Sequence, residues 1–267
     1  MTVINGYCTL ADIKNRHDLT TTDATRDAGI EQMIEAASRW IDNTTGRQFY
    51  ATIATRYFTA HADWQCKVDD LLSVTTLKTD TDGDRTYENT WTITDFELWP
   101  YNSTPYTRIE IAPRGTYAFP LIRKGVEIAG KWGYGEASTT STATLNEDLD
   151  ASETGVDVSA GTAFSTGQRI RIDSEDMLIT NIATNTLTVR RAQNGTTGAT
   201  HTTGAAIAVI TPPDVIEEAC ALITWRLYKR NDAVFGVSST TALGKVDLRI
   251  PKDEDVARLL SPFVRMF

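Results

Sequence analysis

The chain has 267 residues, with 35 acidic against 26 basic side chains, a formal charge of −9 and a pI of about 4.9. An acidic surface does not wrap nucleic acid, because neutralising phosphates needs Lys and Arg in excess; it suits a passage through which DNA slides without sticking. At 41% hydrophobic and 23% charged residues the length supports one large domain or two small ones around a real core, and no apolar run reaches membrane-spanning length.

The cysteines, Cys8, Cys66 and Cys220, are few, odd in number and far apart. That argues against a disulfide framework and for a reducing cytoplasm. The first residues, "MTVINGYCTLADIKNRH", lack the basic start and apolar run of a signal peptide. Thr9 is placed to cap a short helix, "LADIKNRH". A longer helix follows over 30–43, where Ile30, Met33, Ile34, Ala37 and Ile41 draw one apolar stripe, and Gly46 stands where a C-terminal cap belongs.

From residue 56 to 134 the period changes to two. "RYFTA", "LLSVTTLKT", "TWTITDFEL", "YTRIEIA" and "GVEIAGKWGY" read as strands, with Pro100, Pro105, Pro113 and Pro120 marking the gaps. Composition then shifts to Thr, Ala, Ser, Gly and Asn, and Phe164 is the one aromatic between 136 and 211. "QRIRID", "DMLITNIA" and "NTLTVRRA" nevertheless alternate apolar and polar residues, which predicts a small all-β module on a flexible tether, "EASTTSTAT". Helix returns after Pro212 and Pro213, with Val215, Ala219, Leu222, Ile223 and Leu227 as its expected buried stripe. A Gly/Ser/Thr-rich link, "FGVSSTTALGK", leads to an amphipathic end, "EDVARLLSPFVRMF". The expectation is an α+β chain in which 1–135 and 211–267 form one discontinuous body and 136–210 is a module looped out between them.

The acidic stretch "DTDGD" raises the question of calcium. In the helix–loop–helix register Gly83 takes position 6 and Asp80 and Asp82 take 3 and 5, but position 1 is then Lys78 and position 12 is Asn89. The flanks also read as strands, so Asp80, Asp82, Gly83 and Asp84 are expected at the tip of a projecting hairpin, with no metal and no cofactor. His17, His61 and His201 are scattered, and Glu217 and Glu218 splay about 100° apart on a helix, so no catalytic set is visible and the chain is expected not to be an enzyme. "GKWGYG" ends a strand without leading into a helix, which makes a nucleotide site a weak reading. Arg190, Arg191, Asn194, Gly195 and His201 read as turn and surface residues. Arg226, Lys229 and Arg230 either balance the C-terminal end of their helix dipole or meet an acidic neighbouring subunit. Leu259, Leu260, Phe263, Val264, Met266 and Phe267 crowd the last nine positions, where chain ends are usually polar; the segment either folds back on its own core or docks into a partner.

The runs "YCTLADIKNRHDL", "IEQMIEAASRWIDNTTGRQFY", "DLLSVTTLKTDTDGDRTYENTWTITDFELWPYN" and "ACALITWRLYKRNDAVFGV" resemble the head–tail connector (adaptor, or head-completion) family of long-tailed bacteriophages. The resemblance covers residues 7 to about 134 and 211–267, and its most telling motifs are "SRWIDNTTGRQF" and "RLYKRNDAVFG". Usual members run straight from the "WGY" strand into the "PPDV" helix; this chain carries an insert there that is similar to small β modules of phage structural proteins. The resemblance implies a helical connector core with an antiparallel β portion, assembled as a ring, usually dodecameric, beneath the portal protein. The ring would extend the DNA channel, with DNA only as passing cargo, and seat a tail-completion or stopper protein. It implies a virion neck protein made in the host bacterial cytoplasm, with no membrane partner, whose C-terminal residues Asp255, Leu259, Leu260, Phe263, Val264, Met266 and Phe267 dock on the portal. The alternatives are a tail or baseplate component whose module binds carbohydrate or another tail protein, and, from another class, a calcium-dependent hydrolase or nuclease.

Overall fold

The computed structural model describes residues 3–21, 23–232 and 254–265. It is a mixed α+β chain with more strand than helix, built from four helices and two six-stranded antiparallel sheets among the described residues. Two compact units are present: 1–47 with 137–193 and 197–267, and 48–136 with 194–196.

In the first unit, α1 (Leu10–Arg16) opens on a capping box: Asp12 N donates to Thr9 Oγ1 and Thr9 N donates to Asp12 Oδ2. The long helix α2 (Ala24–Thr45) begins six residues before the expected 30, because Asp23 accepts hydrogen bonds from the amides of Thr25 and Arg26 and sets the first turn. It ends as expected at Gly46, left-handed at φ 66°. Helix α3 (Asp214–Asp232) packs against α2, so helices from both ends of the sequence share one core. The buried face of α3 differs from the expected stripe. Of the expected residues Ala219 and Ile223 are buried, Leu222 and Leu227 are half-buried and Val215 is 38% exposed; Ile216, Cys220 and Thr224 complete the buried face. Small residues oppose one another there, with Ala37 and Ser38 of α2 buried and Ser38 Oγ 3.5 Å from Cys220 Sγ. A reading that follows the apolar residues misses Cys220 and Thr224, which the small Ala37 and Ser38 let in.

The same unit holds the module's sheet: β7 (Ala137–Thr144), β8 (Gly155–Asp157), β9 (Arg169–Ile172), β10 (Glu175–Ala183), β11 (Thr186–Arg190) and β12 (Ala206–Thr211), in the order β7-β12-β9-β10-β11-β8. Its core gathers Val156, Phe164, Ile170, Ile172, Met177, Ile179 and Leu187. The supposed flexible tether is a strand: Ala137 pairs with Thr211 and Thr144 with Ala206. Its threonines are β-branched and fit the pleat, and as an edge strand it needs few apolar residues.

In the second unit, β1 (Thr52–Phe58), β2 (Gln65–Thr79), β3 (Asn89–Trp91), β4 (Phe96–Trp99), β5 (Tyr106–Ile111) and β6 (Val126–Trp132) form a sheet ordered β1-β6-β2-β5-β4, with β3 pairing β2. β6 buries alternate residues, Val126, Ile128, Gly130 and Trp132, and Trp132 donates its indole N–H to the Ala54 carbonyl at 2.8 Å. The expected single strand "TWTITDFEL" is broken in two. Asp95 accepts from Thr92 N (2.8 Å), Thr92 Oγ1 (2.6 Å) and Thr116 N (3.1 Å), and this local bonding replaces the ladder. Those bonds, from Thr92 first, hold the Asp95 carboxyl down at about 2.

Candidate functional site

The C-terminal segment is the most developed surface feature. Helix α4 (Glu254–Leu260) and the turn Ser261–Phe263 lie along α3 and the end of α2, with Val256 and Leu260 buried at 0% and 1% exposure. Arg47 Nε donates to the Phe263 carbonyl at 2.8 Å, and Arg265 N donates to the Thr45 carbonyl at 2.8 Å. The second bond satisfies one of the orphan carbonyls at the end of α2. Of the residues expected to dock on a portal, Leu260 is therefore buried on its own helices, Leu259 and Phe263 are half-buried, and Asp255 and Val264 are exposed. Met266 and Phe267 lie outside the described residues.

The three basic residues near the end of α3 have different surroundings. Arg226 Nη2 is paired with the Asp255 carboxylate of the same chain, which holds that carboxyl below its usual range. Lys229 Nζ sits 4.7 Å over the Trp225 ring, and both Lys229 and Arg230 are exposed. Trp225 also stacks on His17 with ring centroids 3.5 Å apart. Burial, then the positive charges of Arg16 and Lys229, keep the His17 pKa below its ordinary value.

The acidic loop 80–88 joins β2 to β3 as a hairpin, with Thr79 opposite Asn89. Asp82, Gly83 and Asp84 are exposed, as expected of a hairpin tip. Asp80 is not: it is fully buried and organises the loop. Its Oδ1 accepts from Gly83 N (2.6 Å) and Asp82 N (3.2 Å), and its Oδ2 accepts from Arg85 N (3.0 Å). Burial pushes the Asp80 carboxyl up, but the amides of Gly83, Arg85 and Asp82 outweigh it and the pKa falls below the usual range. Ligand oxygens of Asp80, Asp82, Asp84 and Glu88 all lie within 4.8 Å of one another, so these four are the residues that could face a cation. Both Asp80 oxygens are already engaged by the loop's own amides.

Two glycines of "GKWGYG", Gly130 and Gly133, sit against neighbouring backbone. Gly133 has φ 142°, its N–H donates to the Asp70 carbonyl at 2.9 Å, and a Cβ there would fall 2.3 Å from the Tyr50 carbonyl oxygen.

The sequence reading missed a buried ionic cluster in the module. Arg191 and His201, expected at the surface, are buried around Glu175. Arg191 Nε and Nη2 reach Glu175 Oε1 and Oε2, both at 2.7 Å, and further donate to the carbonyls of Asp150, Glu153 and Ala199. The amides of Ala192 and Ala199 donate to the same carboxylate, and His201 bridges it to Asp173 through ring nitrogens at 3.0 and 2.7 Å. Burial pushes Glu175 up; Arg191, the Ala199 amide and His201 outweigh it and hold the carboxyl at about 2. The cluster ties the long connection 191–205 back to β10. A Glu two residues after Asp173, with Arg191 and His201 bracketing a glycine-rich run, was its trace in the sequence.

No family model and no curated protein matches the chain. A chain in the solved neck of an empty GTA particle, computed with C6 symmetry, is similar at 15% identity and a TM-score of 0.45, covering 100% of this chain and 95% of that one. A likeness at this level sets no function for the chain.

Proposed function

We propose that this chain is a structural virion protein, a head–tail connector that forms a ring beneath the portal, extends the DNA channel and seats the tail-completion or stopper protein. The observation that carries the reading is the union of α2 and α3 in one helical body. The most specific motifs of the resemblance, "SRWIDNTTGRQF" and "RLYKRNDAVFG", fall at the ends of these two helices. Many copies of such a body make heterologous contacts that close into a ring, so the function is geometric and needs no catalytic residue and no cofactor. A net charge of −9 fits a channel wall that keeps the duplex moving, because attraction would add friction.

The C-terminal segment is the portal-docking element in this reading. In the isolated chain it rests on α3 and the end of α2, held by the buried Val256 and Leu260 and the Arg226–Asp255 pair. Deleting 253–267 is expected to leave a folded monomer that fails to join portal-bearing capsids; incorporation at the normal level refutes the docking role. A second reading, a tail or baseplate component, draws on the module's separate core around Phe164 and Met177. A glycan array probed with the whole chain tests it, and specific carbohydrate capture favours it over the connector.

A further inference from the structure

Cys8 and Cys220 stand 212 residues apart in sequence and meet in the core of the helical body, Sγ to Sγ at 3.3 Å, both as free thiols. Cys8 is 6% exposed and Cys220 is fully buried. The third cysteine, Cys66, is buried in the other unit. We infer that Cys8 and Cys220 are a redox clasp: the pair closes to a disulfide under a small oxidant of the peroxide class and then locks the N-terminal segment onto α3. The inference stands on the thiol geometry and is independent of the connector reading.

Three features favour the pair over chance burial. The first is distance, since a disulfide sulfur pair lies at about 2.05 Å, so closure needs a shift of about an ångström. The second is a division of labour between the sulfurs. Cys8 Sγ is within hydrogen-bond distance of Cys220 Sγ, and that bond, with burial, pushes the Cys8 thiol well up. Burial opposes the Cys220 thiolate, but the hydrogen bonds of Cys8, first, and Ser38 outweigh it and lower its pKa. One sulfur is thus disposed as the nucleophile and the other as the thiol that resolves it. Cys66, with no such neighbour, is pushed by burial to about 12 and is inert. The third is access: Cys8, though not the fully buried Cys220 behind it, lines two small clefts of about 140 and 120 Å³, beside Leu10 and Glu31 in one and Asp12 and Glu217 in the other, so a peroxide reaches the pair from the Cys8 side. A peroxide fits such space; a bulky disulfide reagent does not.

The chemistry balances. The Cys220 thiolate attacks the O–O bond of hydrogen peroxide, becomes a sulfenic acid and releases hydroxide, which takes up a proton to leave as water. The Cys8 sulfur then displaces the sulfenic hydroxyl; its own proton leaves with that group as a second water. Two thiols are oxidised to one disulfide, and one peroxide is reduced to two waters.

The test treats the full chain with hydrogen peroxide and maps its cysteines by peptide mass spectrometry under non-reducing conditions. The expected product is one Cys8–Cys220 crosslinked peptide, with Cys66 unmodified. The thermal midpoint should rise by about 5–10 °C, because the bond closes a very long loop in the unfolded chain, and dithiothreitol should reverse the rise. Cys8→Ser should leave Cys220 as a sulfenic acid that dimedone traps when the oxidised chain is unfolded in urea containing it. If that variant does not fold, the wild-type crosslink decides alone. Irreversible sulfinic acid on Cys8 or Cys220 in the wild type, or an intact dithiol under conditions that oxidise a control peptide, overturns the inference.

Discussion

Arg191 and Glu175 form a two-toothed ion pair inside the module, with both nitrogen–oxygen distances at 2.7 Å and the Glu175 side chain fully buried. Geometry of this kind is strong because the charges are desolvated and every remaining lone pair has a donor. Removing one partner leaves the other charge buried and unpaired. Glu175→Gln and Arg191→Met are each expected to destabilise the module by about 3–5 kcal/mol in urea unfolding. The double variant should cost clearly less than the sum of the two, because it strands no charge. Additive losses would show that the two side chains do not act as a pair.

The same carboxylate sets an acid limit. Glu175 titrates at about 2 in the folded chain against its ordinary 4.5. A depressed folded value contributes stability that is fully present above the unfolded pKa and is lost as pH falls through the folded one. Unfolding free energy followed by urea melts should therefore decline between pH 4.5 and 2, with Asp95, also held at about 2, adding to the slope. Glu175→Gln should flatten that decline; an unchanged slope in the variant assigns the acid sensitivity elsewhere.

Much of the fold could be read from the sequence, and the exceptions share a physical cause. Long periodic elements such as α2, the 71–79 part of β2 and β6 are visible because burial imposes their spacing. Gly46 is visible because few other residues accept its left-handed φ. The elements misread are those where something other than large apolar residues decides. Cys220 and Thr224 complete the buried face of α3, β-branched polar residues build β7, and the Asp95 side chain splits β3 from β4. The hairpin signal puts Asp80 at an exposed tip and turn signals put Arg191 at the surface; the amides of Gly83 and Arg85 fold around Asp80, and Glu175, sixteen residues away, holds the Arg191 side chain.

The C-terminal segment is expected to hold mainly through its apolar contacts. Leu260→Ala should cost about 2–4 kcal/mol and raise hydrogen exchange at the amides of α4, among them Val256. Asp255→Ala removes an exposed pair and should change the thermal midpoint little, with the small effect vanishing in high salt. A larger loss from Asp255→Ala than from Leu260→Ala would place the anchor in the ion pair instead.

Gly133 separates a packing role from a nucleotide-binding one. Alanine there meets both a positive φ and the Tyr50 carbonyl at 2.3 Å. Gly133→Ala should lower stability by more than about 1 kcal/mol, read by the urea midpoint. Nucleotide added to the wild-type chain should leave that midpoint where it is; a nucleotide-dependent rise would restore the phosphate reading of "GKWGYG".

The account turns on this chain forming a neck ring, and electron cryomicroscopy of the particles that carry it examines that most directly. The connector reading predicts ring density directly beneath the portal that accepts α2, α3 and the six-stranded module in every subunit, with the 254–265 segment turned toward the portal. Density for the chain at the tail tip or baseplate, or complete particles that lack it, would contradict the account.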